Sequence, residues 1–113
     1  MQLNSCIMAR MTYAAFAAMG DPTRRVLLER LRLDGPLSLN RLAQGLPMTR
    51  QAVTRHIDVL RDAGLVRMRR RGRERIHELD SAPIREIAVF LAPYAAAWDA
   101  RLERLAAHLE ENP

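Results

Sequence analysis

The spacing of the apolar residues changes abruptly after Gly64, and this change limits the folds open to the chain. Before it, Val53, Ile57 and Leu60 are spaced by four and then three positions, as on one buried face of a helix. After it, apolar residues and arginines alternate from Val66, as in a half-buried strand. The chain therefore passes directly from a helix into a strand.

Helix-capping residues divide the chain before Gly64 into four predicted helices. The first covers 12–19 and ends at Gly20, and side chains that cap helices well begin the next three, at Asp21, Ser38 and Thr49. The expected core positions are Val26, Leu27 and Leu31 in the second helix and Leu39, Leu42, Ala43 and Leu46 in the third. The third and fourth helices, joined by a tight Gly/Pro turn, have the order of a helix-turn-helix.

A basic hairpin is predicted directly after these helices. Arg70-Arg71-Gly72-Arg73 is typical of a turn, and the residues on either side of it alternate as two short strands do. A helix-turn-helix followed by such a hairpin is a winged helix-turn-helix. The expected fold is therefore mainly α with one small β-hairpin.

The last predicted helix begins near Ala82, runs to about Leu109 and carries an unusually long apolar stripe. Its members alternate spacings of four and three; they are Ile84, Ala88, Leu91, Ala95, Trp98, Leu102, Leu105 and Leu109. A stripe over three and a half heptads exceeds what the core of a small domain needs, so we expect it to pack against a second copy, although a purely internal core stays open. Pro93 lies inside the stripe and is expected to kink the helix or divide it in two.

Positive charge is concentrated in one third of the chain. The formal net charge is +5, and residues 41–75 hold ten arginines against three acidic residues, while the remainder holds eight arginines and ten acidic residues. Such a block indicates a polyanion partner. A membrane surface would require a basic amphipathic helix, whereas the densest stretch, 67–75, is predicted to be a hairpin, so nucleic acid is favoured. All 18 basic residues are arginine, which fits either GC-rich codon usage or recognition of phosphates and guanine.

Length and composition exclude several classes. The 113 residues are enough for one domain, and the single Cys6 excludes an internal disulfide framework. No apolar run approaches the roughly 18 to 20 residues of a membrane span, and no secretory signal is recognisable, so a cytoplasmic protein is expected. The sequence also lacks a Gly-rich phosphate loop, a nucleophile elbow and paired carboxylates, which predicts that it is not an enzyme.

Three segments resemble one known family. Ala18-Met19-Gly20-Asp21-Pro22-Thr23-Arg24-Arg25 resembles its "ALADPTRR" opening, and residues 42–66 resemble its support and recognition helices. Arg71-Gly72-Arg73 is similar to its wing tip. The family is that of the ArsR/SmtB-like bacterial transcriptional regulators, and the resemblance covers residues 12–109. It implies a homodimeric repressor that binds an inverted-repeat operator, with 1–11 as an N-terminal extension, disordered or not, and 110–113 as a tail.

This resemblance assigns roles to individual residues. In a recognition helix over 49–63, with the wing at about 66–79, the residues expected to contact bases are Arg50, Gln51, Thr54 and Arg55. Those expected to contact phosphates are Thr49, Arg61, Arg69, Arg70, Arg71 and Arg73. Those expected at the dimer interface are Tyr13, Phe16, Leu91, Tyr94, Trp98, Leu102, Leu105 and Leu109. His56 is expected to be packed or to contact a phosphate, and His77 is expected to be a packing variation where the family often has Tyr.

The sequence does not identify a signal for the regulator. Some members of the family bind metals through a Cys-x-Cys pair or through an Asp-x-His motif with a distant His-x-x-Glu, and the chain has neither pattern, so no metal or other cofactor is expected. Pairing of Cys6 across a dimer is not favoured. A small organic effector at Tyr13, Tyr94 and Trp98 stays open, as does a plain interface core there. An RNA-binding or protein-interaction module on the same scaffold is the alternative function.

Overall fold

The computed structural model describes residues 13–111, so the proposed extension 1–11 and Cys6 lie outside the described residues. Five helices and three strands follow one another. They are α1 (13–19), α2 (Pro22–Asp34), β1 (Leu37–Ser38), α3 (Leu39–Ala43), α4 (Arg50–Asp62), β2 (Val66–Arg71), β3 (Glu74–Leu79) and α5 (Ala82–Glu111).

Side-chain caps begin the three middle helices as predicted. The Asp21 carboxylate accepts a hydrogen bond from the Arg24 N–H at 3.0 Å, and Ser38 and Thr49 accept equivalent bonds at 3.3 and 3.1 Å. Each cap satisfies a backbone donor that has no partner within the helix. The predicted extension of α3 to Leu46 is wrong, because Gln44 is already extended and the chain turns at Gly45.

The core lies between α2, α3 and α4. Its largest fully buried side chains are Leu27, Leu42, Val53, Ile57, Leu60 and Leu65. On α2 the expected core position Val26 is exposed and Leu28 is buried instead, since Leu27 and Leu28 lie four and three positions before Leu31 and share with it the face that meets the other helices. The Arg30 guanidinium donates to the carbonyls of Leu42 and Gln44, which anchors the end of α3 to α2.

The hairpin belongs to a three-stranded antiparallel sheet in the order β1-β3-β2. Val66 pairs with Leu79 at one end of β2 and Arg71 pairs with Glu74 at the other. The predicted hairpin is confirmed, but β1, in which Leu37 pairs with His77, was not predicted from the sequence. A strand of two residues is too short to show an alternation of apolar and polar residues. It forms only because β3 offers an open edge for pairing. The winged helix-turn-helix fold predicted from the sequence is confirmed.

Helix α5 is continuous over 30 residues, or about 45 Å. The predicted division at Pro93 is wrong. Proline removes a single backbone N–H, and it lies where α5 is exposed, so water can satisfy the carbonyl one turn earlier. Only Pro83 and Ile87 of α5 are buried, and every residue over 88–111 is exposed within the protomer. The helix therefore projects from the body, which measures 63 × 42 × 20 Å with it included.

Candidate nucleic-acid interface

Helix α4 presents one face to the core and another to solvent. Val53, Ile57 and Leu60 are buried on the core face. Because successive residues are about 100° apart on a helix, Gln51 and Arg55 point almost directly away from this core face, and both are exposed. Positions of this kind can enter a DNA major groove without disturbing the protein core.

Two threonines of this region are already hydrogen-bonded. The Thr54 hydroxyl donates to the Arg50 carbonyl at 2.9 Å, so its proton is engaged, and the side chain offers a base its methyl group and the acceptor lone pairs of the hydroxyl oxygen. The Thr49 hydroxyl oxygen accepts the capping bond from the Ala52 N–H, which leaves its proton free for a phosphate oxygen.

The turn between β2 and β3 brings four of the predicted phosphate-contacting arginines together. Gly72 has φ of 65°, a left-handed conformation that favours glycine, and it reverses the chain at the tip. Arg69, Arg70, Arg71 and Arg73 are all exposed around it. We call β2, β3 and this turn the wing.

Two arginines nearby are ion-paired. Arg61 lies 3.7 Å from the Asp58 carboxylate, as expected for neighbours one helical turn apart. Arg67, at the base of the wing, lies 3.8 Å from Asp80 and 4.0 Å from Glu78. The remaining arginines of the wing form no ion pair with any residue over 13–111.

An open cleft of about 320 Å³ separates the start of α4 from the wing. We call it the α4–wing cleft. Its lining residues are Ser38, Leu39, Asn40, Arg50, Arg73, Glu74 and Arg75. Arg75 belongs to the basic block of the sequence but had no role predicted for it, and Asn40 was not predicted at all. Both residues reach the cleft through the pairing of β1 with β3, which no local pattern indicated.

His56 lies on the side of α4 that faces α2. Its Nδ1 is 3.8 Å from the Asp21 carboxylate, and both side chains are partly buried. The expected packed position is therefore what the structure has. The hydrogen bond from the Arg24 N–H, and secondarily the nearby His56, hold the pKa of Asp21 below its usual value.

His77 is buried under the wing, with 4% of its surface exposed. Its Nδ1 has no hydrogen-bond partner among the residues that the structure describes. Burial is the main cause that lowers the pKa of His77; Arg61 and Arg75 lower it further, and the Leu37 carbonyl and Asp58 oppose them. The neutral imidazole is therefore the form that the fold accommodates.

We expect acid to destabilise the fold through His77. Its pKa in the folded state lies below the unfolded value of about 6.5, so the unfolded chain binds the proton more tightly. The His77 contribution to stability is complete above about pH 6.5 and is lost as the pH falls through and below that value. Urea unfolding measured from pH 8 to pH 5 should show this loss. The loss should shrink in His77→Phe and persist in His56→Gln; equal pH dependence in the wild type and His77→Phe would contradict the assignment.

A second, apolar surface is formed by residues of α1 and α5. Phe16 of α1 packs edge-on against Phe90 of α5 with ring centroids 6.1 Å apart, and Phe90 contacts Tyr94 at 5.8 Å. Phe90, which lies beside the heptad stripe, was not among the predicted interface residues. All eight residues predicted for the dimer interface are exposed in the protomer, with Tyr13 at 75% and Trp98 at 58%.

Metal-binding clusters and membrane-spanning helices are both absent from the described part of the chain. Over 13–111, no group of three or more His, Cys, Asp or Glu side chains is placed to hold a metal ion. No helix in that range is long and apolar enough to cross a membrane.

The chain is similar to known regulators over the same elements. A helix-turn-helix domain model matches residues 19–69. The transcriptional regulator Rv2034 of Mycobacterium tuberculosis is 46% identical over 66 residues, which cover 58% of this chain and 61% of that protein. The regulator YuzN of Bacillus subtilis is 38% identical over 80 residues, which cover 66% of this chain and 87% of that protein.

Solved structures of regulators are also similar to the chain. The ArsR family transcriptional regulator RHA00566 is 31% identical with a TM-score of 0.71, over 80% of this chain and 93% of that one. The chain belongs to the ArsR-like winged helix-turn-helix transcriptional regulators. This ArsR-like regulator also shares its fold with a homodimeric winged helix-turn-helix domain from Mycobacterium bovis, 19% identical with a TM-score of 0.62, over 88% of this chain and 89% of that one. As a member of this family, it is a DNA-binding transcriptional regulator.

Proposed function

We propose that the protein is a homodimeric repressor that binds an inverted-repeat operator by inserting α4 into the major groove of each half-site. The single observation that carries the proposal is the placement of exposed arginines and Gln51 on one continuous surface of α4 and the wing. Three acidic residues among ten arginines over 41–75 leave this surface strongly positive. The proposed activity is binding to DNA, rather than catalysis. The cytoplasmic location expected from the sequence is part of the same proposal.

Base recognition falls to the outward face of α4. Arg55 can donate two hydrogen bonds to guanine, and the Gln51 amide matches the donor and acceptor pair of adenine. The Thr54 methyl group is positioned next to them for contact with a thymine methyl. Arg50, the fourth residue with a predicted base contact, lies in the α4–wing cleft instead of on this face.

Phosphate contacts fall to the cap of α4 and to the wing. Thr49 has a free hydroxyl proton, and Arg61 lies at the edge of the helix, where its weak pair with Asp58 can exchange for a phosphate. The wing-tip arginines, which lack protein partners over 13–111, can reach the backbone or a narrow minor groove.

The apolar stripe on α5 supports the homodimer. Over 88–111 no residue is buried in the protomer, although the stripe continues through Trp98, Leu102, Leu105 and Leu109. Exposed apolar surface of this extent is typical of an interface. A second copy offers the same stripe, and a two-fold pair of helices would bury both. The homodimeric relative from M. bovis has the same fold.

Two-fold symmetry in the protein predicts two-fold symmetry in the operator. The two recognition helices of such a dimer meet half-sites one helical turn apart, about 34–36 Å, or a multiple of it. Repression follows the family resemblance: the bound dimer would occupy a promoter until a signal releases it.

Fluorescence anisotropy tests the proposal. The purified protein is titrated into a duplex from the region upstream of its own gene, a scrambled duplex and a single-stranded RNA at several salt concentrations. We expect a specificity ratio of about 10³ or more, with log K falling linearly with log salt. If no duplex from a genome-wide pull-down binds better than random duplex, the operator is excluded; preference for RNA would support the alternative function.

The wing should contribute affinity without specificity. We expect Arg70→Ala and Arg71→Ala to weaken binding to all duplexes alike and to flatten the salt slope by about 0.9 for each lost phosphate contact. Arg67→Ala is the matched control, because Arg67 lies in the same strand and is already ion-paired. A changed specificity ratio, with the slope unaltered, would assign these wing residues to base recognition instead.

A further inference from the structure

The α4–wing cleft joins side chains from three separate parts of the chain. Arg50 comes from the first turn of α4, Arg73 and Arg75 come from the wing, and Asn40 comes from α3. The three arginines make no ion pair within 13–111. Glu74 is the one acidic residue in the lining, so the cleft keeps an excess of positive charge.

The helix geometry turns Arg50 away from the outward face of α4. Arg50 and Gln51 are about 100° apart around the helix axis, and Arg50 shares its side of the helix with Arg61. That side of the helix start faces the wing, because Arg50 lines one cleft together with Arg73 and Arg75. An Arg50 side chain on this side reaches the cleft, whereas Gln51 and Arg55 reach outward.

We infer that Arg50, Arg75 and Asn40 form a clamp for one phosphodiester group of the DNA backbone, and that Arg50 does not read a base. The inference deepens the proposed function and depends on it. It moves Arg50 from the base-contacting set to the phosphate-contacting set and adds two residues to the latter. Base recognition is then left to Gln51, Thr54 and Arg55.

The chemistry of the cleft matches a phosphodiester. Guanidinium groups offer planar pairs of N–H donors that fit the two free oxygens of a phosphate, and the Asn40 amide adds a neutral donor. Several like charges in one cleft repel each other, and an anion between them removes that repulsion. The cleft is open to solvent between the recognition helix and the wing, where the backbone flanking a major groove would run.

The test compares Arg50→Ala, Arg75→Ala and Gln51→Ala on the selected operator and on a scrambled duplex. For a dimer, loss of the whole clamp frees two phosphates, so in the Arg50→Ala/Arg75→Ala double variant the salt slope should flatten by about 1.8 and binding to both duplexes should weaken roughly 30-fold at 0.15 M salt. Each single arginine substitution should give part of this change, because the other arginine still contacts the same phosphate. The operator-to-scrambled ratio should stay within about twofold of the wild type. Gln51→Ala should instead lower that ratio and leave the slope unchanged.

Two matched variants control for charge. Glu74→Gln removes the opposing charge from the same cleft and should tighten binding to both duplexes. Arg104→Ala removes an exposed arginine from the side of α5 away from the stripe and should change neither binding nor slope. All are surface substitutions, and circular dichroism verifies that each variant folds.

The possible results distinguish a failure of the clamp from a failure of the proposed function. A wild-type protein that prefers no duplex would overturn the proposed sequence-specific function, while the salt slopes would still test the clamp. A wild-type protein with clear specificity, combined with an Arg50→Ala variant that loses it, would overturn the clamp and return Arg50 to base recognition. An unchanged slope in both Arg50→Ala and Arg75→Ala would also overturn it.

Discussion

Leu102→Glu and Leu105→Glu should each convert the protein to monomers and abolish operator binding at nanomolar concentrations. Both leucines lie in the exposed stripe of α5. Burial of one leucine side chain contributes about 1.5–3 kcal/mol, and a two-fold interface loses two copies, so about 3–6 kcal/mol of dimer stability is lost before the cost of burying a carboxylate. The dimer dissociation constant should therefore rise at least about 100-fold. Sedimentation equilibrium measures this directly.

Leu33→Glu is the control for this substitution. Leu33 lies on α2, outside the stripe, and is 66% exposed, compared with 54% for Leu105. Its variant should remain a dimer. Because both leucines are exposed in the protomer, neither change should unfold the chain, and circular dichroism verifies this. An intact dimer in both Leu102→Glu and Leu105→Glu would place the interface on another surface.

Loss of Arg55 should reduce operator affinity more than loss of a single phosphate-contacting side chain of the basic surface. A bidentate contact to a base provides about 1–3 kcal/mol of discrimination, and a dimer makes it twice, so Arg55→Ala should cost about 2–6 kcal/mol on the operator. Binding to scrambled duplex should fall far less, because only the general attraction to phosphates is reduced. Gln51→Ala should also lower operator affinity more than affinity for scrambled duplex, through the base that Gln51 contacts.

Selection of binding sites from a random pool gives the sharper measurement. The Arg55→Ala protein should lose its preference at one symmetric pair of positions and keep it elsewhere. Gln44→Ala is the matched control for Gln51→Ala, since Gln44 is an exposed glutamine beyond the end of α3. Preferences that are unchanged in both α4 variants would show that another element reads the operator.

Local features of the fold were predictable from the sequence. The caps at Asp21, Ser38 and Thr49 form hydrogen bonds to residues three positions along the chain, so each can be recognised within a few residues. The core face of α4 was predictable because helical spacing alone determines which side chains share a face. The exposed basic turn at Gly72 follows in the same way from the local preference of glycine.

Features that depend on distant partners were not predictable in this way. Val26 and Leu28 are both compatible with a helix, and only the neighbours of α2 decide that Leu28 is buried. The local sequence around Pro93 predicts a break in the helix, yet α5 continues through it. The free energy of the one lost hydrogen bond is small compared with that of the remaining bonds of the helix.

The winged helix-turn-helix fold, the basic surface and the long apolar stripe follow from local sequence, because spacing, capping and charge are properties of neighbouring residues. Which arginines meet depends instead on how the elements pack. The pairing of β1 with β3 brings α3 and the wing together beside α4, and Arg50, Arg75 and Asn40 share a cleft as a result. These residues are up to 35 positions apart, and only chain packing, which no local pattern encodes, sets their distance in space.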